Sequence, residues 1–404
     1  MLNKFREKLK TNTKQKLTAL IFAVIIFSMT PGMIWNYYDT GSEFLISYRA
    51  NTTPDMTFRQ RVKGITTSAE AAASAGVLYR ARLIEFYGFS QLAMNRKIVI
   101  DPNYGALYKT PYGQIAYAVE EKYIELHLDR MYGLVNSLVS ANVPFLYVQA
   151  PFKLPDANSQ LPLNVRDYSN QNADEFVKKL TGANVSCFDL RPLLRGSGMT
   201  QNELFFDTDH HWRIETAFLS AGLIAEKMNA DYGFEIDMSY FDASNYNFET
   251  FSDFFIGSLG RRAGRIYGGI DDFTLIAPNF KTDLSFGENG GALLRGAFED
   301  VILKKEFIDE NAPKDTNRYA VYRRDEAEAV FVNHLVDNGR VLIIKDSFGT
   351  PVYSFLALGV HEMRAVDVRL FEGSLIEYVK SYSPDIVLML YNADCFNDQM
   401  FDFN

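Results

Sequence analysis

Three apolar runs constrain this chain more than any other feature: FLYVQA at residues 145–150, VLIIK at 341–345 and DIVLML at 385–390. A strand with almost no polar position must be covered on both faces, which is the setting of a parallel sheet flanked by helices. The intervening segments supply those helices. Ile124, Leu128, Met131, Val135 and Leu138 recur at steps of four and three, one face of a helix that Asn142 can end. Further helices are expected around 173–180, over 214–229, from 348 onward and over 374–382, with strands at 185–190 (VSCFDL) and 363–368 (MRAVDV). The pattern predicts an α/β domain over residues 96–404, a parallel sheet with helices on both faces. Residues 231–325 break the rhythm. They are rich in Phe, Tyr, Gly and Asp, carry the alternating FTLIAPNFKTDLSF, and read as an inserted region of mixed or antiparallel β structure.

The N-terminal part has another character. Residues 1–16 hold six basic groups against Glu7, whereas the remainder carries 35 basic and 49 acidic groups. An acidic body lacks the electrostatic footprint of a nucleic-acid binder. Residues 17–35 contain no charge and would span about 28 Å as a helix, close to a bilayer's hydrocarbon thickness. With Trp35, Tyr37 and Tyr38 at the interface and the basic segment kept cytoplasmic, 17–35 is expected to be a single-pass anchor. A cleaved leader is the rival, but no small-x-small cleavage site stands out. The bulk of the chain would then be extracellular, with residues 36–95 as a helical stalk or extension. Cys187 and Cys395 read as core residues rather than as a disulfide.

The stretch FFDTDHHWRIETA at 205–217 holds two of the five histidines and one of the two tryptophans. Three uses compete: a metal site, an acid–base pair, and a capped helix start. Zinc-binding histidines on a helix sit at i and i+4. The side chains of adjacent His210 and His211 are expected to diverge, and no metal is assigned. Asp209 and His211 are two apart and point the same way in an extended segment. The carboxylate can then hold the imidazole tautomer while the other ring nitrogen faces a reaction. A nucleophile stands 136 residues on, Ser347 in VLIIKDSFGT, after a strand and before a helix. Doubly wound sheets place their sites there, and a helix N-terminus offers N–H groups to an oxyanion. Capping by Ser347, Asp346 or Asp209, with Trp212 as core, remains the plain alternative.

DHHW before a helix and KDSFG after an apolar strand resemble the DHHW protein family, which is related to the SGNH-like O-acetyltransferases of alginate and other exopolysaccharide assembly systems. VPFLYVQAPFKLP, VSCFDLRPLL, DVRL and SPDIVLMLYN resemble further stretches of those proteins, so the resemblance runs over about 96–404 apart from much of the insertion. It implies an SGNH-hydrolase-like domain with a triad of Asp209, His211 and Ser347, permuted from ordinary SGNH hydrolases, in which the serine comes first. Lys345 stands where a GDSL-type block has glycine. Asn392 is the residue for the SGNH asparagine's part, with Gly257 a weaker choice for the glycine block, and Lys153 and Arg369 are expected to line the cleft as substrate-binding residues. His210 is left to packing or to a supporting contact behind the site residues, and Trp212 is expected beneath the pair. The implied activity is serine acyl transfer, with acetyl passed to a cell-surface or exported polysaccharide. It needs no cofactor. A membrane-embedded acyl-exporting partner is expected, because an external enzyme cannot draw on cytosolic acetyl thioester. An acetyl-esterase with the same triad, and a non-catalytic glycan-binding or assembly protein, are the alternatives.

Overall fold

The computed structural model describes residues 15–24, 27, 37–52, 56–75, 80–101, 104–155 and 161–403. Its contacts divide the chain into two units, Met1–Phe86 and Tyr87–Asn404. In the first, helices Tyr37–Asn51 and Phe58–Ala75 pack together. Thr57 opens the second of these. Its backbone N–H donates to Gln60 Oε1 at 2.9 Å, half of a reciprocal cap that satisfies N–H groups left over by the first turn. Of the expected anchor at 17–35, residues 17–24 and 27 are helical, and the rest lie outside the described residues. No helix among the described residues is long and apolar enough to cross a membrane.

The second unit opens with a small antiparallel sheet of β1 (Ile98–Asp101), β2 (Gly105–Lys109) and β3 (Ile115–Ala116). The apolar runs then become neighbouring strands. β4 (Phe145–Gln149), β5 (Cys187–Asp189), β11 (Arg340–Lys345), β12 (Glu362–Val366) and β13 (Ile386–Tyr391) pair in parallel in the order β5-β4-β13-β11-β12. Alternate residues feed two cores. Leu146, Val148, Val341, Ile343, Ile386, Leu388 and Leu390 meet helices Ile214–Tyr232 and Gly349–Leu356 on one face. Tyr147, Leu342, Ile344, Val387 and Met389 meet helices Glu125–Ser140, Ser169–Gly182 and Leu375–Tyr382 on the other. This double burial is the reason for the unbroken apolar runs, and each fully buried Leu, Ile or Val is worth about 1.5–3 kcal/mol over an exposed one.

The sheet is not parallel throughout, and this corrects the expectation from the apolar runs. β8 (Leu284–Glu288), β9 (Leu294–Gly296) and β10 (Glu328–Asn333) extend it past β12 with antiparallel pairings, giving eight strands. In β10 only Ala329, Phe331 and Asn333 are buried, so it meets the core with one face, as an antiparallel strand can. The region read as an insertion is therefore built into the sheet through β8 and β9. Its other two strands, β6 (Tyr246–Phe255) and β7 (Asp271–Pro278), form a separate antiparallel pair. Cys187 and Cys395 are free thiols, and burial pushes both above the ordinary thiol range.

Candidate active site

Residues 205–213 form a closed loop before helix Ile214–Tyr232. Phe205 and Trp212 bridge its base, and Arg213 N–H donates to Leu204 O at 2.9 Å. Between them residues 207–211 bend instead of running extended. Buried loops must find partners for every backbone polar group, and distant residues supply them. The Asp271 carboxylate accepts from the N–H groups of Asp207 (2.6 Å) and Thr208 (2.8 Å) and from the Thr208 hydroxyl. Thr208 O in turn accepts from Leu259 and Gly260 N–H at 3.0 and 2.8 Å.

Within this loop Asp209 is buried. Its Oδ1 accepts from His211 Nδ1 at 2.6 Å and from the His211 backbone N–H at 3.1 Å, and its Oδ2 from Ser258 N–H at 2.6 Å. Burial opposes its charge, but His210, His211 and the Ser258 N–H outweigh that and hold the carboxyl well below its usual range. The approach is close enough that a Cβ on Gly257 would stand 2.3 Å from Asp209 Cβ, so no larger residue fits.

The other half is the turn after β11. Asp346 Oδ1 accepts from Phe348 N–H at 2.8 Å, and helix Gly349–Leu356 follows. A Cβ on Gly349 would lie 2.6 Å from Lys345 Cβ, so the tight position is after the serine rather than before it. Lys345, standing where glycine was expected, is buried and donates to Asp325 at 2.7 Å. The turn brings Ser347 Oγ to 2.8 Å from His211 Nε2. Asp209, His211 and Ser347 thus form one hydrogen-bonded chain at the carboxyl edge of the parallel strands. The Ser347 N–H has no protein partner among the described residues. Trp212 lies beneath, fully buried, and its indole N–H donates to Phe348 O at 3.2 Å and to Tyr319 Oη at 3.1 Å, tying the two loops together. The Tyr319 ring stacks on His211, centroids 4.0 Å apart and planes 9° off parallel.

Other expected site residues fall differently. Lys153 does not face a substrate. It is buried, and its ammonium donates to Ile115 O, Asp207 O and Asp209 O at 2.6, 3.0 and 2.7 Å, so two of its N–H bonds hold the loop and the third ties it to β3. Desolvation lowers its pKa to about 8, against the raising effect of Asp271, Asp207 and Asp209. Asn392 follows β13, but its amide and backbone N–H both donate to Asp346 Oδ2 at 2.7 Å, which makes it a support for the turn. Burial raises Asp346 to about 6 despite those bonds. Arg369 is held by Asp367 and by Asp325 at 3.1 Å, with about a third of its side chain exposed. The His210 and His211 rings do not diverge. Their centroids are 3.8 Å apart, because the bent backbone at 207–211 removes the divergence of a regular segment. Asp209, His210 and His211 bring ligand-type atoms within 4.8 Å of one another. Both His211 nitrogens, however, are already engaged by Asp209 and Ser347, and His210 Nδ1 is 2.8 Å from Ser258 Oγ. Asp271, Ser258, Tyr319 and Asp325 escaped the sequence reading. All but Ser258 lack any motif, and Ser258 sits beside Gly257 in GSLGRR.

Residues 114–249 match the family model described as the SGNH hydrolase-like domain of the acetyltransferase AlgX. This bears out the expected relation to the SGNH-like O-acetyltransferases. No curated protein sequence matches the chain. Among solved structures, Bacillus cereus PatB1 is similar in fold at 23% identity and a TM-score of 0.59, covering 76% of this chain and 99% of its own. A form of PatB1 with a sulfonyl adduct aligns at 22% identity, with the same coverage and TM-score. A DHHW family protein from Eubacterium siraeum aligns at 16% identity and a TM-score of 0.56, covering 73% of this chain and 93% of its own.

Proposed function

We propose that this chain is a membrane-anchored serine O-acyltransferase that places acetyl groups on a cell-surface or exported polysaccharide. The observation that carries the reading is the unbroken chain Asp209–His211–Ser347 beside a Ser347 N–H with no partner among the described residues. In the first half-reaction His211 Nε2 takes the Ser347 proton as Oγ attacks the acetyl carbonyl, and the same proton then goes to the departing donor group. Asp209 fixes the tautomer and stabilises the imidazolium. The Ser347 N–H supplies one oxyanion donor, a contribution typically of about 3–4 kcal/mol. In the second half-reaction a sugar hydroxyl gives its proton to His211 and attacks the acetyl carbon, the bond to Ser347 Oγ breaks, and His211 returns the proton to Oγ.

The matched family model, described as an acetyltransferase, supports acetyl as the group moved. The basic residues 1–16 and the uncharged 17–35 support an anchor with the catalytic unit outside the cell. In that position a membrane-embedded partner would deliver the acyl group. The test is incubation of the full chain with p-nitrophenyl acetate and mass spectrometry for acetyl on Ser347. The expected result is one adduct, absent from Ser347→Ala. Labelling elsewhere, or none, overturns the reading, and release of acetate with no transfer to any sugar makes the protein an esterase. Protease treatment of intact cells should cut the body of the chain and spare residues 1–16; protection of the body overturns the topology.

A further inference from the structure

We infer that the cleft beside His210 is the acceptor subsite, and that it takes a pyranose ring stacked on Tyr104 and hydrogen-bonded to Arg262 and His210. The inference rests on the acyl-transfer reading and adds where the second substrate lies. Tyr104, Tyr117, His210, Ser258, Arg261 and Arg262 line this cleft, together with Leu259, around about 520 Å³. That is within the usual size of a small-ligand site. Two clefts of similar size lie elsewhere. One, bordered by Gly339 and Asp385, is at the amino ends of β11 and β13, the edge opposite Ser347. The other, at Tyr87, Ile98 and Lys109, has no member of the triad or residue next to it in its wall. Only the cleft at His210 adjoins the chemistry among these three, since the His210 ring lies 3.8 Å from that of His211.

The lining suits a sugar better than an acyl chain. Leu259 is its one aliphatic residue, and that side chain is buried. Tyr104 is 73% exposed and offers an aromatic face, the surface on which the C–H side of a sugar ring packs. Arg262 is set by two contacts: its Nε donates to Asp101 at 2.9 Å, and its guanidinium lies 4.6 Å from the Tyr104 ring centre. Its Nη2 is buried with no hydrogen-bond partner among the described residues. An unmet buried donor is destabilising, and a ligand oxygen would satisfy it. The planar fork of arginine fits paired sugar oxygens. His210 is anchored at Nδ1 by Ser258 Oγ, which leaves Nε2 for a hydroxyl. Burial and the adjacent His211 lower the pKa of His210. Tyr117 gives its hydroxyl to Asp394 at 2.7 Å and contributes ring surface only.

The test separates the fates of the acetyl-enzyme. Full-length protein is acetylated with p-nitrophenyl acetate in the presence of methyl β-glucopyranoside, cellopentaose or chitopentaose at tens of millimolar, and acetylated sugar and free acetate are both measured. For wild type at least one of the three is expected to accept acetyl. Tyr104→Ala and Arg262→Ala should each lower the ratio of transfer to hydrolysis at least tenfold, and the conservative Tyr104→Phe should restore it. Tyr104 is a surface residue, so its variants test the cleft even where Arg262→Ala fails to fold. Equal loss of transfer and hydrolysis in both variants, or no transfer to any of the three sugars from a wild type that forms acetyl-Ser347, overturns the inference and leaves the acyl-transfer reading standing. Absence of acetyl-Ser347 overturns that reading first.

Discussion

The two loops that meet at His211 and Ser347 are held in opposite ways. The loop at 205–213 depends on residues far off in the chain: Asp271 and Lys153 satisfy its backbone, and Gly257 and Ser258 back Asp209. The turn after β11 largely makes itself. Asp346 caps Phe348 two residues on, Gly349 closes against Lys345, and Asn392 supplies the outside hydrogen bonds to the Asp346 side chain. A serine needs only to be presented at a helix N-terminus. An imidazole must have both nitrogens aimed, and that requires a rigid frame around the aspartate as well. The difference explains why Ser347 could be found from its own neighbourhood and the frame around Asp209 and His211 could not.

Chemistry should erase the contrast. Ser347→Ala and His211→Ala should each reduce kcat/KM for p-nitrophenyl acetate by about 10⁴-fold or more, because triad members act as a unit. Unfolding by urea should show both variants intact. A loss under about tenfold in either one would remove that residue from the chain of proton transfer.

Stability should restore the contrast. Asp271→Ala strips partners from two backbone N–H groups and the Thr208 hydroxyl, all buried or half-buried, and should destabilise the protein by about 3–5 kcal/mol in urea. Ester turnover should fall with it even where the fold persists. An Asp271→Ala protein with an unchanged urea midpoint would show that the loop carries its own structure.

On the turn side, pH is the probe. Burial raises the folded-state pKa of Asp346 to about 6, above the ordinary carboxyl value. The folded state therefore binds a proton more tightly than the unfolded one, and this group favours folding as pH falls from about 6 to about 4. Its contribution is on the order of 2–3 kcal/mol. Asp209 works the other way, since its lowered pKa lends stability that is lost only below the usual carboxyl range. Comparing wild type with Asp346→Asn by urea unfolding between pH 4 and 7, the difference in their stabilities should change across this window. A constant difference would mean that Asp346 titrates normally.

The smallest effect is expected from Asn392→Ala, which removes the amide's hydrogen bond to the Asp346 carboxylate and the Oδ1 acceptor of Asp394 N–H, and leaves the backbone N–H of residue 392 in place. About 1.5 kcal/mol of stability should go, with turnover reduced only a few-fold. A loss as large as that of Asp271→Ala would show that the turn is as dependent on outside support as the loop.

The sequence by itself determined the sheet's central strands, the two-sided core and the three residues of the hydrogen-bonded chain. Each leaves a local mark: VLIIK and DIVLML have no polar face, and Asp209, His211 and Ser347 each stand in a short motif at the edge of an element. It did not determine the uses of Lys153 and Asn392, whose side-chain type suggests a ligand and whose partners turn out to be the protein's own carbonyls and carboxylate. Nor did it determine β8–β10 as part of the sheet, because strand pairing is decided by which one-faced strand meets an open edge. Tertiary structure alone brought Asp271, Ser258 and Tyr319 to the site, from a region that reads as an insertion. Their role follows from burying a bent loop, and the partners of a buried backbone group are set by proximity in space, which leaves no period or motif along the chain.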